Sequence, residues 1–177
     1  MTFRDAMTQG LGDLEVRYRA AKGETDDHCY LFVPERGYLF TGDLVIWASP
    51  NCGNPQKVQR YPVEWAEALE TMAGLGAEWL FPGHGFIVCG REAVRDVLTD
   101  TARYLRVIID QVLARLNAGQ TPEAIFHGLT TTIQSSLCET CCAGGAGGGM
   151  ETRLICYRQP GKLRRGRSRA SPGVRRR

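Results

Sequence analysis

The feature that most restricts the fold is a long amphipathic stretch, residues 91–119. Apolar residues recur there at intervals of three and four, which is typical of one continuous helix, and Gly119 favours its end. A second helix is predicted from Thr121, an N-cap residue that is followed by Pro122 at the first helical position. The long helix carries more apolar surface than one face of a small sheet covers, so we expect it to pack against a second surface.

Before that helix, short apolar runs alternate with turn residues. Residues 14–20 alternate apolar and polar side chains, which predicts a half-buried strand. The apolar runs 29–33 and 38–42 flank a Pro-Glu-Arg-Gly turn and predict a hairpin. Pro62 begins a predicted helix that glycines end, and a further apolar run leads into a Gly-His-Gly turn at residues 83–85. Strands mixed with helices in this way predict an α/β fold.

Three residues of metal-binding chemistry lie in these turns and strand ends. Glu24 follows Gly23 in a turn, Asp43 ends an apolar run, and His84 lies between two glycines. Zinc and hard divalent ions take carboxylate oxygen and imidazole nitrogen, which makes the three residues candidate ligands. Each also has an ordinary interpretation: a turn acid, a capping residue and a loop histidine. His28 is expected to orient the Glu24 turn by a hydrogen bond rather than to bind metal directly.

Composition narrows the classes of protein further. A chain of 177 residues with a hydrophobic fraction of 43% suffices for one domain with a core. No run of 18 apolar residues is present, so we expect no transmembrane helix. The N-terminus is polar and mixed in charge, unlike a signal peptide. The seven cysteines are odd in number and irregularly spaced, and we expect reduced thiols and a cytoplasmic location.

The C-terminal part differs from the rest in composition. From Glu151 onward ten Lys or Arg residues accompany one acid, which gives that part a net charge of +9 within a chain of +3. Residues 129–177 lose all periodicity and become rich in Gly and then Arg, so we expect a disordered tail. The arginines suit nucleic-acid phosphates, although no aromatic residue lies among them. A Cys-x-x-Cys at Cys138 and Cys141 lacks the second pair of a typical zinc site.

Three segments, taken together, resemble the metal-binding motifs of the metallo-β-lactamase superfamily. "GETDDH" is similar to the third motif with Glu24 in the ligand position, "LFTGDL" to the fourth with Asp43, and "FPGHGF" to the fifth with His84. Their order and spacing agree with the superfamily over residues 13–90. A glutamate in place of the usual histidine of the third motif resembles the alkyl sulfatase branch, in which a helical dimerisation domain follows the lactamase-like domain.

The resemblance implies a division of the chain into three parts. Residues 1–90 would form the C-terminal half of an αββα sandwich, and residues 91–128 would begin the helical dimerisation domain. Residues 129–177 would form the tail, which resembles nothing in the superfamily. The implied fold class is therefore an α/β half-sandwich followed by long helices.

The resemblance also implies a chemistry. Superfamily members use two zinc ions, and a zinc-bound hydroxide attacks an ester, thioester or sulfate ester. Asp43 would be the catalytic ligand that bridges the two ions, with Glu24 on one ion and His84 on the other. In the loop 48–62, Lys57 and Arg60 are candidates for binding an anionic, small-molecule ester; a surface-charge role is the alternative. A homodimer through residues 91–128 is implied, and a membrane association is not.

The sequence departs from the superfamily at one important point. The His-x-His-x-Asp-His motif that supplies four further ligands is missing, and the chain has only three histidines. We therefore expect a truncated fragment with weak or no activity, followed by a tail that a frame shift would explain. Two other functions remain open: a helical interaction module without catalysis, and a nucleic-acid binder acting through the tail.

Overall fold

The computed structural model describes residues 3–53 and 59–129. Its described part contains one six-stranded sheet, in which the strands lie in the order in which they occur along the chain. The strands are β1 (Ala6–Leu11), β2 (Leu14–Ala21), β3 (His28–Val33), β4 (Tyr38–Ile46), β5 (Trp79–His84) and β6 (Val88–Cys89). The helices are α1 (Pro62–Ala73), α2 (Arg91–Asn117) and α3 (Pro122–Gly128). The predicted α/β fold is confirmed.

The strand directions follow from the lengths of the connections. Short turns join β1 to β2, β2 to β3, β3 to β4 and β5 to β6, and these pairs are antiparallel. The β4–β5 pair is parallel because α1 returns the chain between them. The turn before β4 contains a short 3₁₀ helix, Pro34–Arg36, that ends at Gly37 with a φ of 62°. Both strands of this predicted hairpin are therefore confirmed.

The two longer helices cover one face of the sheet. Leu39 and Leu80 from the sheet, Trp65 and Met72 from α1, and Leu98 from α2 are all at most 1% exposed and belong to one apolar core. The core reaches along α2 only as far as Leu105, with Ile109 packed at its edge. The first half of α2 is thus part of the same core as the sheet.

The second half of α2 and the helix after it keep apolar side chains at the surface. Leu113 and Leu116 are about half exposed, and Phe126 of α3 is 63% exposed. Thr121 caps α3 as predicted, because its hydroxyl accepts a hydrogen bond from the Ala124 amide. These exposed side chains form the surplus apolar surface that the sequence indicates.

The opposite face of the sheet is also apolar. The strand register aligns Met7, Tyr18, Leu31, Phe40 and Phe81 in one row across five strands. Side chains of directly paired residues share a face, and the Phe40 and Phe81 rings stack at 4.5 Å. A sheet with two apolar faces and helices on one of them has the layers of half a sandwich.

Two further predictions concern membrane-spanning helices and the C-terminal tail. In the described part, no helix is long and apolar enough to cross a membrane. The predicted disordered tail lies outside the described residues from residue 130 onward, as do Cys138 and Cys141.

Candidate metal centre

Two of the predicted ligands lie side by side near the carboxyl ends of the parallel strands. Asp43 lies in β4, three residues before its last residue, Ile46, and His84 is the last residue of β5. The His84 Nε2 atom is 3.3 Å from the Asp43 Oδ1 atom, and both side chains reach solvent, with exposures of 68% and 37%. Parallel strands bring their carboxyl ends to the same edge of a sheet, so the pair lies on an accessible edge.

Glycine makes this close approach possible. A Cβ atom added to Gly83 would overlap the Asp43 Oδ1 atom and lie 2.7 Å from the Gly42 carbonyl carbon. A Cβ atom added to Gly85, whose φ is 114°, would lie 2.8 Å from the Trp47 Cβ atom. Both glycines of the Gly-His-Gly turn are therefore needed for β5 to lie against β4 beside Asp43.

The β4 backbone is irregular at the same place. The register between β4 and β5 shifts on both sides of Gly42, which has a φ of 52°. Thr41 is fully buried, and Leu44 and Val45 are buried consecutively, so the regular alternation of a strand is lost. A bulge of this kind re-aims a side chain, here that of Asp43.

A buried tryptophan fixes the strand beside Asp43. Trp65 of α1 is 1% exposed, and its Nε1 donates a hydrogen bond of 2.9 Å to the Leu44 carbonyl oxygen. Gly23 packs closely against the same two residues: a Cβ atom added to it would lie only 2.7 Å from the Leu44 Cδ2 atom. The turn that carries Glu24 is thereby held against β4 and α1.

Glu24 pairs with Arg60 rather than with the other two candidate ligands. The Arg60 Nη2 atom lies 2.8 Å from the Glu24 Oε1 atom, and Arg60 Nη1 donates to the Glu24 backbone carbonyl oxygen. The Arg60 side chain is 7% exposed and that of Glu24 30%. Among the residues that the structure describes, no group of three or more His, Cys, Asp or Glu is placed to hold a metal ion. The assignment of Glu24 as a ligand stays a prediction.

The Asp43–His84 pair fits a zinc ion by its donor atoms and by their separation. Two donor atoms about 2.0–2.2 Å from a tetrahedral zinc ion lie roughly 3.3–3.6 Å apart, and the observed separation is 3.3 Å. A charge-assisted hydrogen bond between the same groups would be shorter, at about 2.7–2.9 Å. This pair would supply one carboxylate and one imidazole, which are two of the ligands that a zinc site needs.

The remaining predicted site residues lie elsewhere. His28 begins β3, and its Nε2 atom is buried without a hydrogen-bond partner among the described residues. Its role in orienting the Glu24 turn stays a prediction. Lys57 lies outside the described residues. Arg60 is buried against Glu24, and its predicted role toward a substrate likewise stays untested.

The described part of the loop after β4 is tied to α2. Ser49 forms a hydrogen bond with Tyr104, and burial raises the pKa of Tyr104 more than this hydrogen bond lowers it. Burial also raises the pKa of the Cys52 thiol to about 11. Cys52 is therefore a neutral thiol at pH 7 and is a poor nucleophile.

Sequence reasoning missed the contacts that support the candidate ligands. Gly23, Gly83 and Trp65 each contact a residue far away in the chain, and the pairing of Arg60 with Glu24 spans 36 positions. The one local signal was the placement of Glu24 and His84 beside glycines, which indicates a close approach of the backbone.

Comparison with known proteins places these features in a family context. Residues 2–84 match the family described as the metallo-beta-lactamase superfamily. The linear primary-alkylsulfatase of Pseudomonas sp. (strain ATCC 19151) is 29% identical over 130 residues, which are 71% of this chain and 24% of that protein.

Solved structures show the same fold. The stereoselective inverting sec-alkylsulfatase Pisa1 from Pseudomonas sp. superposes with a TM-score of 0.66 at 20% identity, over 75% of this chain and 22% of that chain. A double mutant of the same enzyme gives a TM-score of 0.66 at 19% identity, over 73% of this chain and 21% of that chain. The chain thus spans about a quarter of the length of the relatives that it matches.

Proposed function

We propose that the chain is a member of the metallo-β-lactamase superfamily, in its alkyl sulfatase-like branch, and that it contributes half of a zinc site that hydrolyses sulfate esters or related small esters. The match of residues 2–84 to the superfamily and the 29% identity to an alkylsulfatase over 130 residues support this proposal. The observation that carries this proposal is the Asp43–His84 pair, with donor atoms 3.3 Å apart at an accessible sheet edge. Hydrolysis is the family's chemistry; the ester class is our proposal for this chain.

The residues of this chain would hold the metal as follows. His84 would bind through Nε2 as a neutral imidazole, and the Asp43 carboxylate would be shared between two ions. Glu24 would bind the ion that His84 does not. Bound zinc supplies a water molecule whose pKa is lowered toward neutrality. The aligned parallel strands and the glycines at 83 and 85 keep Asp43 and His84 in place without a change of backbone.

The ligand count limits what this chain does alone. Catalytic zinc sites usually have three protein ligands, whereas Asp43 and His84 supply two to one ion and Glu24 and Asp43 two to the other. The remaining ligands would come from a polypeptide segment that is not in this sequence. We therefore expect weak zinc binding and negligible turnover of the chain by itself.

The test measures zinc content by elemental analysis together with turnover of an aryl sulfate and an aryl ester. Fusing the chain to the N-terminal half of an alkyl sulfatase is expected to raise zinc content and to restore turnover. Asp43→Ala in the fusion is expected to abolish that turnover, because the residue serves both ions. Two tightly bound zinc ions in the isolated chain, with turnover that survives Asp43→Ala, would show that the site lies elsewhere.

The exposed apolar residues of α2 and α3 favour a second function, which is association through helices. Three large apolar side chains on these two helices are 49–63% exposed: Leu113, Leu116 and Phe126. Exposed apolar side chains that lie on neighbouring helices suit a helical partner. A homodimer through residues 91–128 would be a concentration-dependent dimer that forms without metal. Sedimentation in the presence of a chelator measures this. Binding of nucleic acid through the basic tail concerns residues outside the described part and stays a prediction.

A further inference from the structure

Arg60 binds Glu24 at two points. Its Nη2 atom pairs with the Glu24 Oε1 atom at 2.8 Å, and its Nη1 atom donates to the Glu24 backbone carbonyl oxygen. The side chain is 7% exposed, and its Nε atom is buried with no hydrogen-bond partner among the described residues. One guanidinium group thus fixes both the backbone and the carboxylate of the same candidate ligand.

Further contacts hold the turn that carries Glu24 against the segment that carries Arg60. The Tyr61 amide donates to the Gly23 carbonyl oxygen at 3.0 Å, and the Gly23 amide donates to the Thr25 carbonyl oxygen at 2.9 Å. Lys22 lies over the Tyr61 ring, 4.9 Å from its centre. The backbone before Glu24 is therefore tied to the segment that enters α1, and the hydrogen bond between Gly23 and Thr25 closes the turn that carries Glu24.

A buried arginine in these contacts is not available to a substrate. A guanidinium removed from water needs a compensating charge and hydrogen bonds, and here Glu24 supplies both. An anionic ester would have to displace Glu24 before it could bind Arg60. The contacts therefore disfavour the substrate role that the sequence suggests for Arg60.

We infer that Arg60 is a positioning residue that orients Glu24 as a metal ligand, an inference that rests on the proposed function of Glu24. A carboxylate has two oxygen atoms and about four acceptor positions. Arg60 occupies Oε1, and the second oxygen of Glu24 would be the atom that holds a metal ion. Carboxylates that bind metals are usually fixed by hydrogen bonds of this kind, and loss of the supporting residue typically weakens metal affinity about 10–100-fold.

The test is a direct zinc titration of the full chain by calorimetry, which measures weak binding, with far-UV circular dichroism to check the fold. Arg60→Met is expected to weaken zinc binding at least about tenfold, and Arg60→Lys is expected to weaken it less. The matched control is Arg91→Met, because Arg91 also pairs with a glutamate, Glu78, at 3.0 Å but is 66% exposed. The control is expected to bind zinc as the unmodified chain does.

A double-variant cycle separates positioning from a structural ion pair. Glu24→Gln alone is expected to weaken zinc binding, and adding Arg60→Met to Glu24→Gln is expected to weaken it no further, because Arg60 acts only through Glu24. A further loss in the double variant would overturn the inference. If Arg60→Met does not fold, Arg60→Lys decides: unchanged zinc affinity in a folded Arg60→Lys variant overturns the inference.

Two more variants distinguish failure of the inference from failure of the proposed function. If Asp43→Ala and His84→Ala weaken zinc binding while Arg60→Met leaves it intact, the inference is wrong and the zinc site stands. If neither Asp43→Ala nor His84→Ala changes zinc binding, the proposed site is wrong and the inference is wrong with it.

Discussion

At the scale of single residues, the candidate site depends on the absence of side chains as much as on their presence. Gly83 leaves the space that the Asp43 carboxylate occupies, and Gly23 leaves the space that Leu44 and Trp65 fill. Gly83 and Gly23 have no positive φ, unlike Gly85, so their own backbone conformations do not require glycine. Their importance comes from the strands and the helix that approach them.

Gly83→Ala is expected to displace Asp43 and to lower the free energy of unfolding by about 1–3 kcal/mol, the usual cost of overpacking. The added methyl group would meet the Asp43 carboxylate and the β4 backbone, which cannot rotate away as a flexible side chain can. Urea unfolding measures the change. Gly10→Ala is the control, because an added Cβ atom there meets nothing within 4 Å; an equal loss in both variants would contradict the steric explanation.

Asp100 is a second residue whose environment gives a directional prediction. It is 7% exposed in α2, and its Oδ2 atom is buried without a hydrogen-bond partner among the described residues. Burial raises the pKa of this carboxyl group, and Arg103, at 3.3 Å, lowers it less. The folded protein therefore holds the Asp100 proton more tightly than the unfolded chain does.

The sign of the pH dependence follows from that difference. Between the unfolded and the raised folded pKa of Asp100, the folded state binds more protons, so its stability falls as the pH rises through this range. Asp100→Asn is expected to be more stable than the unmodified chain at pH 7 and to lose this advantage at a pH below both pKa values. Urea unfolding at pH 3 and pH 7 measures the two differences. Equal differences at both values would contradict the prediction.

At the scale of secondary-structure elements, α1 supports the site through a hydrogen bond from Trp65. Trp65→Phe keeps most of the apolar volume and removes the donor to the Leu44 carbonyl oxygen. A buried acceptor left without a donor costs about 1–3 kcal/mol, so a loss of that size is expected in urea unfolding. Because Leu44 adjoins Asp43, a zinc affinity that falls with the stability is also expected. Unchanged stability would mean that water replaces the indole donor.

The sequence predicted the elements whose signal is local. The alternation in β2, the Pro-Glu-Arg-Gly turn before β4, the Pro62 start of α1, the periodicity of α2 and the Thr121 cap are all confirmed. It missed β1, five of whose six residues are exposed, and β6, which has two residues. Both missed strands lie at sheet edges and are defined by pairing with a neighbour, which leaves little pattern in the strand itself.

The candidate site was predictable to the same extent. The resemblance of their motifs placed Asp43 and His84 in one site, and the glycines beside His84 indicate a close approach of the backbone. The place of Glu24 could not, because its carboxylate is held by Arg60 from a segment 36 positions away, and a contact of that kind has no periodic signal.

At the scale of the whole molecule, the helices do not separate cleanly from the sheet. Val94, Val97, Leu98 and Leu105 of α2 belong to the same core as Leu39 and Leu80 of the sheet. A boundary between residues 90 and 91 would run between these side chains. The division of the chain there stays a prediction, and its energetic consequence is measurable.

A single core predicts that the sheet and α2 unfold together. Leu98→Ala is expected to lower the free energy of unfolding by about 2–5 kcal/mol, because a fully buried leucine loses its contacts and leaves a cavity. Tryptophan fluorescence, which includes the signal of Trp65 in α1, and far-UV circular dichroism, which is dominated by α2, should shift to the same lower midpoint in urea. Leu116→Ala is the control, since Leu116 lies on the same helix but is 49% exposed, and a loss of less than about 0.5 kcal/mol is expected. Separate midpoints for the two signals in the Leu98→Ala variant would show that residues 91–128 fold as a unit of their own.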